Sequence, residues 1–472
     1  MGKHLIVLIH GLWGNFKHMN SLKRMFKKKL SAKDNDGDAY IYYSPMQNTL
    51  FKTLDGIEII GYRTLIEICQ YIKYHNEKEA ESESAHITKI SVVGYSLGGL
   101  IARFVIGKMY TDCINIFENI EPHLFMTMAT PHIGVAFYNK TQFITFSAPI
   151  MTAVGSTLLG RSGKELFIRD SETLLEKLSE GEYIEALARF KHRLLFANVK
   201  NDRSVAFYTS FITDIDPFIS TGNTVQYVYE DSFPPIKFKN HSIPNVIELN
   251  KLDMQHKHKP TLDTDKYLRN NLTVILRVIL VFTVFLPIML TLNTLATIHR
   301  YWVTRKYRKI IESGIASKHV QSQIGSEDNI RSYIESTYES ILIANDKEEE
   351  VTDEQDSASN GKITGNLLNS DNKTKEVSWE QFIEKYSTFW KPGSSDNQIS
   401  YLRNFEPLPL DDKRMKIISN LNQLTWIKIP VYIKALNSHG GIVARSSLES
   451  TGRDSYATVE LAGEIVFYLM NH

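Results

Sequence analysis

The stretch SVVGYSLGGL, residues 91–100, carries an apolar run into Gly94-Tyr95-Ser96-Leu97-Gly98. Gly-x-Ser-x-Gly is weak alone, but its flanks sharpen it: residues 87–93 read as a strand and 100–109 as a helix. Ser96 then lies on a tight strand-to-helix turn, where Gly94 and Gly98 clear the space a nucleophile elbow needs. The helix that follows points its N-terminus at the hydroxyl and favours developing negative charge there. A phosphate loop is the competing meaning of such glycines, and this stretch lacks the Lys-Ser/Thr pair that loop requires.

A serine attacks an acyl carbon only with a base to take its proton and an acid to orient the base. In this architecture the acid follows a later strand and the histidine follows the last one, so only residues beyond 96 qualify. Asp202, in KNDRSV, follows the apolar run 194–199. Asp170, Asp214 and Asp216 are rivals in poorer context. His439, in ALNSHGGIVAR, follows the final apolar run, and Gly440 and Gly441 let the backbone turn sharply beside it. His132, in ATPHIG, precedes Asp202 and reads as a structural or lining residue. His10-Gly11-Leu12 closes the first strand, making the Leu12 and Leu97 N–H groups the candidate oxyanion hole. Two such donors are worth on the order of 3 kcal/mol each. His10 reads as a turn-fixing residue. This chemistry is acyl transfer from an ester, and it calls for no metal or cofactor.

The elements that must position these residues follow from periodicity. Apolar, β-rich runs at 5–9, 40–43, 87–93, 124–128 and 194–199 alternate with helical patterns such as 57–74 and 100–109. That alternation predicts an α/β fold around a mostly parallel, buried sheet. LTWIKIPVYIKAL, 424–436, reads as a further strand and ATVELAGEIVFYLM as a closing helix. Between the two parts lies the strongly apolar segment 272–298, with Arg277 near its start and Pro287 near its middle. A polar tract follows, with Glu348-Glu349-Glu350 and a helical spacing only at 330–343. The expected organisation is residues 1–265 and 399–472 as two parts of one hydrolase domain. Residues 266–303 form an apolar membrane hairpin with its flanks, and 304–398 a largely disordered linker.

Composition bounds the function further. Lys and Arg number 54 against 53 Asp and Glu, so no excess charge suggests a nucleic-acid binder. Cys69 and Cys113 have no metal-like spacing and suit a reducing compartment. Asn-x-Ser/Thr triplets at Asn139, Asn240, Asn271 and Asn372 would matter only in the secretory lumen. MGKHLIVLIHGLWGN is too short in apolar residues for a signal-peptide core, and Ile6 departs from the myristoylation pattern, so synthesis in the cytosol is expected. FITFSAPIMTAVGSTLLG reads as a lid, an interface-seeking segment or core, and SLKRMFKKKL as a basic helix face.

In combination, LIHGLWGN, VVGYSLGGLIAR, MATPHIGV, SGKELFIRD, NDRSVAF and WIKIPVYI…SHGGIVAR resemble the fungal serine esterase/lipase family of α/β-hydrolases, and within it the lipid-droplet phospholipase branch. The resemblance implies Ser96, Asp202 and His439 as a triad and lipid esters as substrates. Glycerophospholipids stand ahead of acylglycerols or sterol esters. It also implies a lipid-droplet or endoplasmic-reticulum surface, on the cytosolic face. Gly440-Gly441 departs from the family, where bulkier small residues are expected. A silent, membrane-tethered interaction module is the reading of another class.

The triad order constrains the apolar segment. Ser96 and Asp202 precede it and His439 follows it, so one bilayer crossing would strand the base opposite the nucleophile. Pro287 divides it into two arms of about 15 residues, each about 22 Å long, against a bilayer core of roughly 30 Å. Lys266 and Arg269 precede the segment and Arg300, Arg305, Lys306, Arg308 and Lys309 follow it, which favours both flanks in the cytosol. A kinked spanning helix is the alternative.

Overall fold

The computed structural model describes residues 2–31, 39–78, 86–113, 118–138, 142–219, 225–226, 228–236, 243–254, 375–387, 405, 407–435 and 437–472, with isolated positions 283, 287, 291 and 294. Apart from those isolated positions, the apolar segment 272–298, the helix expected at 330–343 and most of the polar tract lie outside the described residues, and so does the hairpin. Among the described residues, no helix is long and apolar enough to cross a membrane.

A six-stranded parallel sheet organises the chain. Its strands are β1 (Lys3–Ile9), β2 (Ala39–Tyr43), β3 (Ile87–Tyr95), β4 (Glu121–Met128), β5 (His192–Asn198) and β6 (Ile427–Val431). They lie in the order β6-β5-β4-β3-β1-β2, every pair parallel. The near-continuous apolar runs of β1, β3 and β4 are explained by this position, since a strand covered on both faces needs no polar alternation. β6 carries Pro430, which an outer strand accommodates because one of its edges makes no sheet hydrogen bonds. That edge is still covered: Ile247 N–H donates to the Pro430 carbonyl at 2.9 Å and Tyr432 N–H to Asn245 at 2.8 Å.

Parallel strands require crossovers, and helices supply them. α1 (Asn20–Leu30), α2 (Ile57–Lys78) and α3 (Leu97–Asp112) connect the first four strands. α4 (Gln142–Leu158), α5 (Gly160–Leu166) and α6 (Gly181–Arg189) lie between β4 and β5, and α7 (Phe207–Phe211) follows β5. α3 packs between α2 and α6 over β3, while α1 packs against the closing helix. The α/β fold expected from periodicity is thus present, with a mostly parallel central sheet.

The second part of the chain completes this body. α8 (Trp379–Ser387), α9 (Asp412–Leu421) and α10 (Arg453–Met470) are its main helices. α8 falls inside the span read as linker, and it is packed rather than solvated: Phe382 and Tyr386 are buried. Trp379 stacks on Tyr468 of α10 at 5.0 Å, and the Tyr386 hydroxyl donates to Glu230 Oε2 at 2.7 Å. The start of α8 is a capping box, in which Gln381 N–H donates to Ser378 Oγ at 3.2 Å and Ser378 N–H to Gln381 Oε1 at 3.1 Å. These residues, Ser378-Trp379-Glu380-Gln381, lie within the span 304–398 read as linker.

Because Phe382 fills a closed site, Phe382→Ala should lower the unfolding free energy of the full chain by about 3–5 kcal/mol in urea titration. A change under 0.5 kcal/mol would mean that α8 is not part of the core.

Candidate active site

Three strand ends build the site. β3 ends at Tyr95, and the chain turns through Ser96 into α3 with Ser96 at φ 57° and ψ −129°. That left-handed φ is strained for a residue with a β-carbon, and such strain persists only where neighbours hold it. Here Ser96 N–H donates to the Met128 carbonyl at 2.9 Å, and the Ser96 carbonyl accepts from Gly99 N–H at 3.1 Å. The end of β1 presses against the elbow from the other side. A β-carbon on Gly98 would stand 2.2 Å from the Ile9 carbonyl oxygen, and one on Gly11 2.6 Å from Ser96 Cβ. These two glycines let the His10-Gly11-Leu12 turn approach the Ser96 hydroxyl.

His439 reaches Ser96 across 343 residues of chain, with Nε2 2.9 Å from Oγ. Its Nδ1 is 2.8 Å from Asp202 Oδ2. A carboxylate only accepts, so Nδ1 carries the proton and Nε2 presents its lone pair to the hydroxyl. Ser96 and His439 are each 8% exposed, so the pair is covered without being sealed.

Asp202 is held by what surrounds it. Its Oδ1 accepts from the Ser204 and Val205 N–H groups at 2.9 and 2.8 Å, and its Oδ2 also accepts from Asn198 Nδ2 at 2.9 Å. Burial pushes this carboxyl up, but the His439 charge, the hydrogen bond from its ring, the Val205 N–H and Asn198 together outweigh it. The carboxyl therefore lies below its ordinary value. Its rivals stand elsewhere: Asp170 caps Leu174 N–H at 2.7 Å, and Asp216 is buried against Tyr208 and Phe218 N–H. Asp214 is pushed up by burial, and its backbone carbonyl accepts from Leu408 N–H at 2.7 Å.

The turn candidates divide. His10 Nδ1 lies 3.0 Å from the Gly11 carbonyl, fitting a turn-fixing residue. His132 is fully buried with Nε2 3.0 Å from Thr127 Oγ1, and its backbone carbonyl accepts from Arg103 at 3.1 Å, so it is an interior residue. Leu12 is partly buried on the core beside this turn, and Leu97 N–H opens α3. Among the described residues, neither N–H meets a protein acceptor.

Two supporting residues escaped the sequence reading. Asn198 Nδ2 also donates to the Ser438 carbonyl at 3.3 Å, tying the acid loop to the histidine loop. The Tyr95 hydroxyl donates to the His439 carbonyl at 3.0 Å. Asn198 carried a signal, as a polar residue ending an apolar strand four positions before the candidate acid. Tyr95 carried none, because its partner is distant in the chain.

Comparison with known proteins bears on the first part of the chain. Residues 1–214 match the family described as "Putative serine esterase (DUF676)". "Putative lipase ROG1" of Saccharomyces cerevisiae is 31% identical over 218 residues, which cover 45% of this chain and 29% of that protein. "Putative lipase C4A8.10" of Schizosaccharomyces pombe is 26% identical over 219 residues, covering 44% and 26%. The matched part spans about three-tenths of the length of such relatives. Among solved structures, Est1E from Butyrivibrio proteoclasticus aligns at 15% identity over 44% of this chain and 72% of its own, with a TM-score of 0.25. Phospholipase PlaB from Legionella pneumophila aligns at 14% over 44% and 41%, with a TM-score of 0.26. At TM-scores this low these likenesses add nothing to what the sheet order establishes.

The depressed Asp202 carboxyl sets a pH dependence. A carboxyl held below its unfolded value, about 3.9, stabilises the fold above that pH and loses the contribution as pH falls through the folded value. The stability gap between wild type and Asp202→Asn should therefore be widest above about pH 5 and shrink below about pH 4 in urea titrations. A gap independent of pH would remove the carboxylate's charge from the account.

Proposed function

We propose that this chain is a serine hydrolase of lipid esters, with Ser96, His439 and Asp202 as its triad. The observation that carries the reading is the continuous relay of contacts, 2.9 Å from Ser96 to His439 and 2.8 Å from His439 to Asp202. Ser96 Oγ attacks the ester carbonyl as His439 Nε2 takes its proton. The Leu12 and Leu97 N–H groups receive the oxyanion, helped by the N-terminus of α3. The tetrahedral intermediate collapses, His439 returns its proton to the leaving alkoxide, and the acyl group stays on Ser96. A water molecule, deprotonated by the same imidazole, then releases the acid and restores the serine. Asp202 holds the ring and stabilises the imidazolium formed in each half. No step requires a metal or cofactor.

The match to a serine esterase family and the lipase-named relatives support the lipid-ester class; the motif resemblance favours glycerophospholipids, with acylglycerols or sterol esters the second reading. For Ser96→Ala, hydrolysis of both lipid classes and labelling by a fluorophosphonate probe should fall to background, a loss of at least about 10³-fold. Should wild type and variant behave alike, the chain is not a serine hydrolase and the tethered-module reading replaces it.

We further propose that the enzyme works at a lipid surface, a droplet monolayer or the endoplasmic reticulum, from the cytosolic side. Support comes from chain path. β5 precedes residues 272–298 and β6 follows them, yet the two strands pair, with Asn198 opposite Val431. Both ends of the intervening chain therefore enter one folded body, and a path that crosses a bilayer once is incompatible with it. In sealed vesicles, protease should cut on both sides of 272–298. Protection of one flank only would sink the topology.

A further inference from the structure

The Gly440-Gly441 loop beside His439 has Arg445 as a neighbour. Arg445 folds back over this loop: its N–H donates to the Gly440 carbonyl at 2.9 Å. Its Nε and Cζ lie 3.6 and 3.8 Å from where a β-carbon of Gly440 would stand. Ala444, at φ 48°, makes the tight turn that allows this, and its carbonyl is pinned by Ser21 Oγ at 2.7 Å. A guanidinium is thus laid against the backbone one residue from His439. Arg445 is exposed, and among the described residues it has no carboxylate partner. The acids on nearby segments are engaged elsewhere: Glu449 with Arg24 at 2.9 Å, Asp202 with His439, and Asp454 with Lys434 N–H at 3.0 Å.

The oxyanion turn faces the same cation. The Nδ1 atoms of His10 and His18 converge on Gly14, 2.7 and 3.1 Å from its absent β-carbon. Burial, then the charge of Arg445, then His10 lower His18 to about 4, so it stands neutral beside the guanidinium at physiological pH. Arg445 also opposes the upward push that burial gives the Tyr95 phenol. Beside the base loop, Arg445 therefore carries a positive charge without a carboxylate partner among the described residues, next to the neutral His18 ring.

We propose that Arg445 is the anion-recognition residue of this site, taking the phosphodiester that neighbours the scissile ester in a glycerophospholipid. This rests on the serine-hydrolase reading above and adds what selects the substrate. A planar guanidinium pairs with phosphate oxygens in bidentate fashion. An acylglycerol offers only a hydroxyl or a further ester at that position and leaves the charge unpaired.

The test uses full-length chain with dihexanoyl phosphatidylcholine and dihexanoylglycerol as monomeric substrates. Arg445→Gln should shift the ratio of the two kcat/KM values at least tenfold toward dihexanoylglycerol, chiefly through KM for the phospholipid. Arg445→Lys should recover part of the shift. Equal losses on both substrates would assign Arg445 a structural role, and an unchanged ratio would remove it from recognition; either overturns the proposal. Binding separates this from catalysis. In the Ser96→Ala background, Arg445→Gln should weaken binding of the phospholipid at least tenfold and leave dihexanoylglycerol within twofold. That result stands even if wild type cleaves neither lipid, an outcome that defeats the hydrolase reading alone. Inorganic phosphate should bind the Ser96→Ala chain at least tenfold more weakly than the phospholipid. Equal affinity would assign the site to free phosphate and overturn the headgroup assignment.

Discussion

One contact organises this molecule: His439 Nε2 at 2.9 Å from Ser96 Oγ. A hydrogen bond of that length cannot form unless both strand ends belong to one rigid body. The nucleophile elbow hangs from β3 in the middle of the sheet, while the histidine loop follows β6 at its edge. Two strands, β4 and β5, stand between them, and β5 also ends in the Asp202 loop. The sheet is therefore the ruler of the site. Each loop leaves the same carboxyl end of a parallel array, where side chains from distant segments converge.

The same contact explains local features that are costly in isolation. Ser96 sits at a left-handed φ, and the approach of β1 to the elbow leaves no room for side chains on Gly11 and Gly98. Buried Asp202 would be unfavourable without its four donors, two from backbone, one from Asn198 and one from His439. Asn198 then reaches the Ser438 carbonyl, so the acid and base loops are braced by one amide. Strain at the serine and charge at the aspartate are held in place by packing rather than by local preference.

Legibility along the chain followed the range of the forces involved. The six strands of the sheet and the helices 57–78 and 97–112 were readable because their signal is hydrophobic periodicity, which each segment carries alone. Their ends moved by a few residues, as with β3, which runs on to Tyr95. α8 was hidden for the opposite reason: a nine-residue helix with two buried aromatics is a small signal inside a polar tract. Composition averages over the tract, whereas Phe382 and Tyr386 are buried by surfaces from elsewhere in the chain. The supporting contacts of Tyr95 and Arg445 were illegible too, since their partners lie far off in sequence or across a tight turn.

By itself the sequence determined the α/β class, the strand-turn-helix that presents Ser96, and the chain order in which an acid and a histidine follow it. These rest on periodicity, glycine placement and the one-way sense of parallel crossovers, all encoded locally. Only the tertiary structure decided that Asp202, rather than Asp170, Asp214 or Asp216, meets His439, and that His132 is interior. It alone brought residues 375–387 into the core and laid Arg445 beside the base. The reason is physical. A hydrogen bond falls off within a few tenths of an ångström, and no local pattern specifies positions that finely across 343 residues.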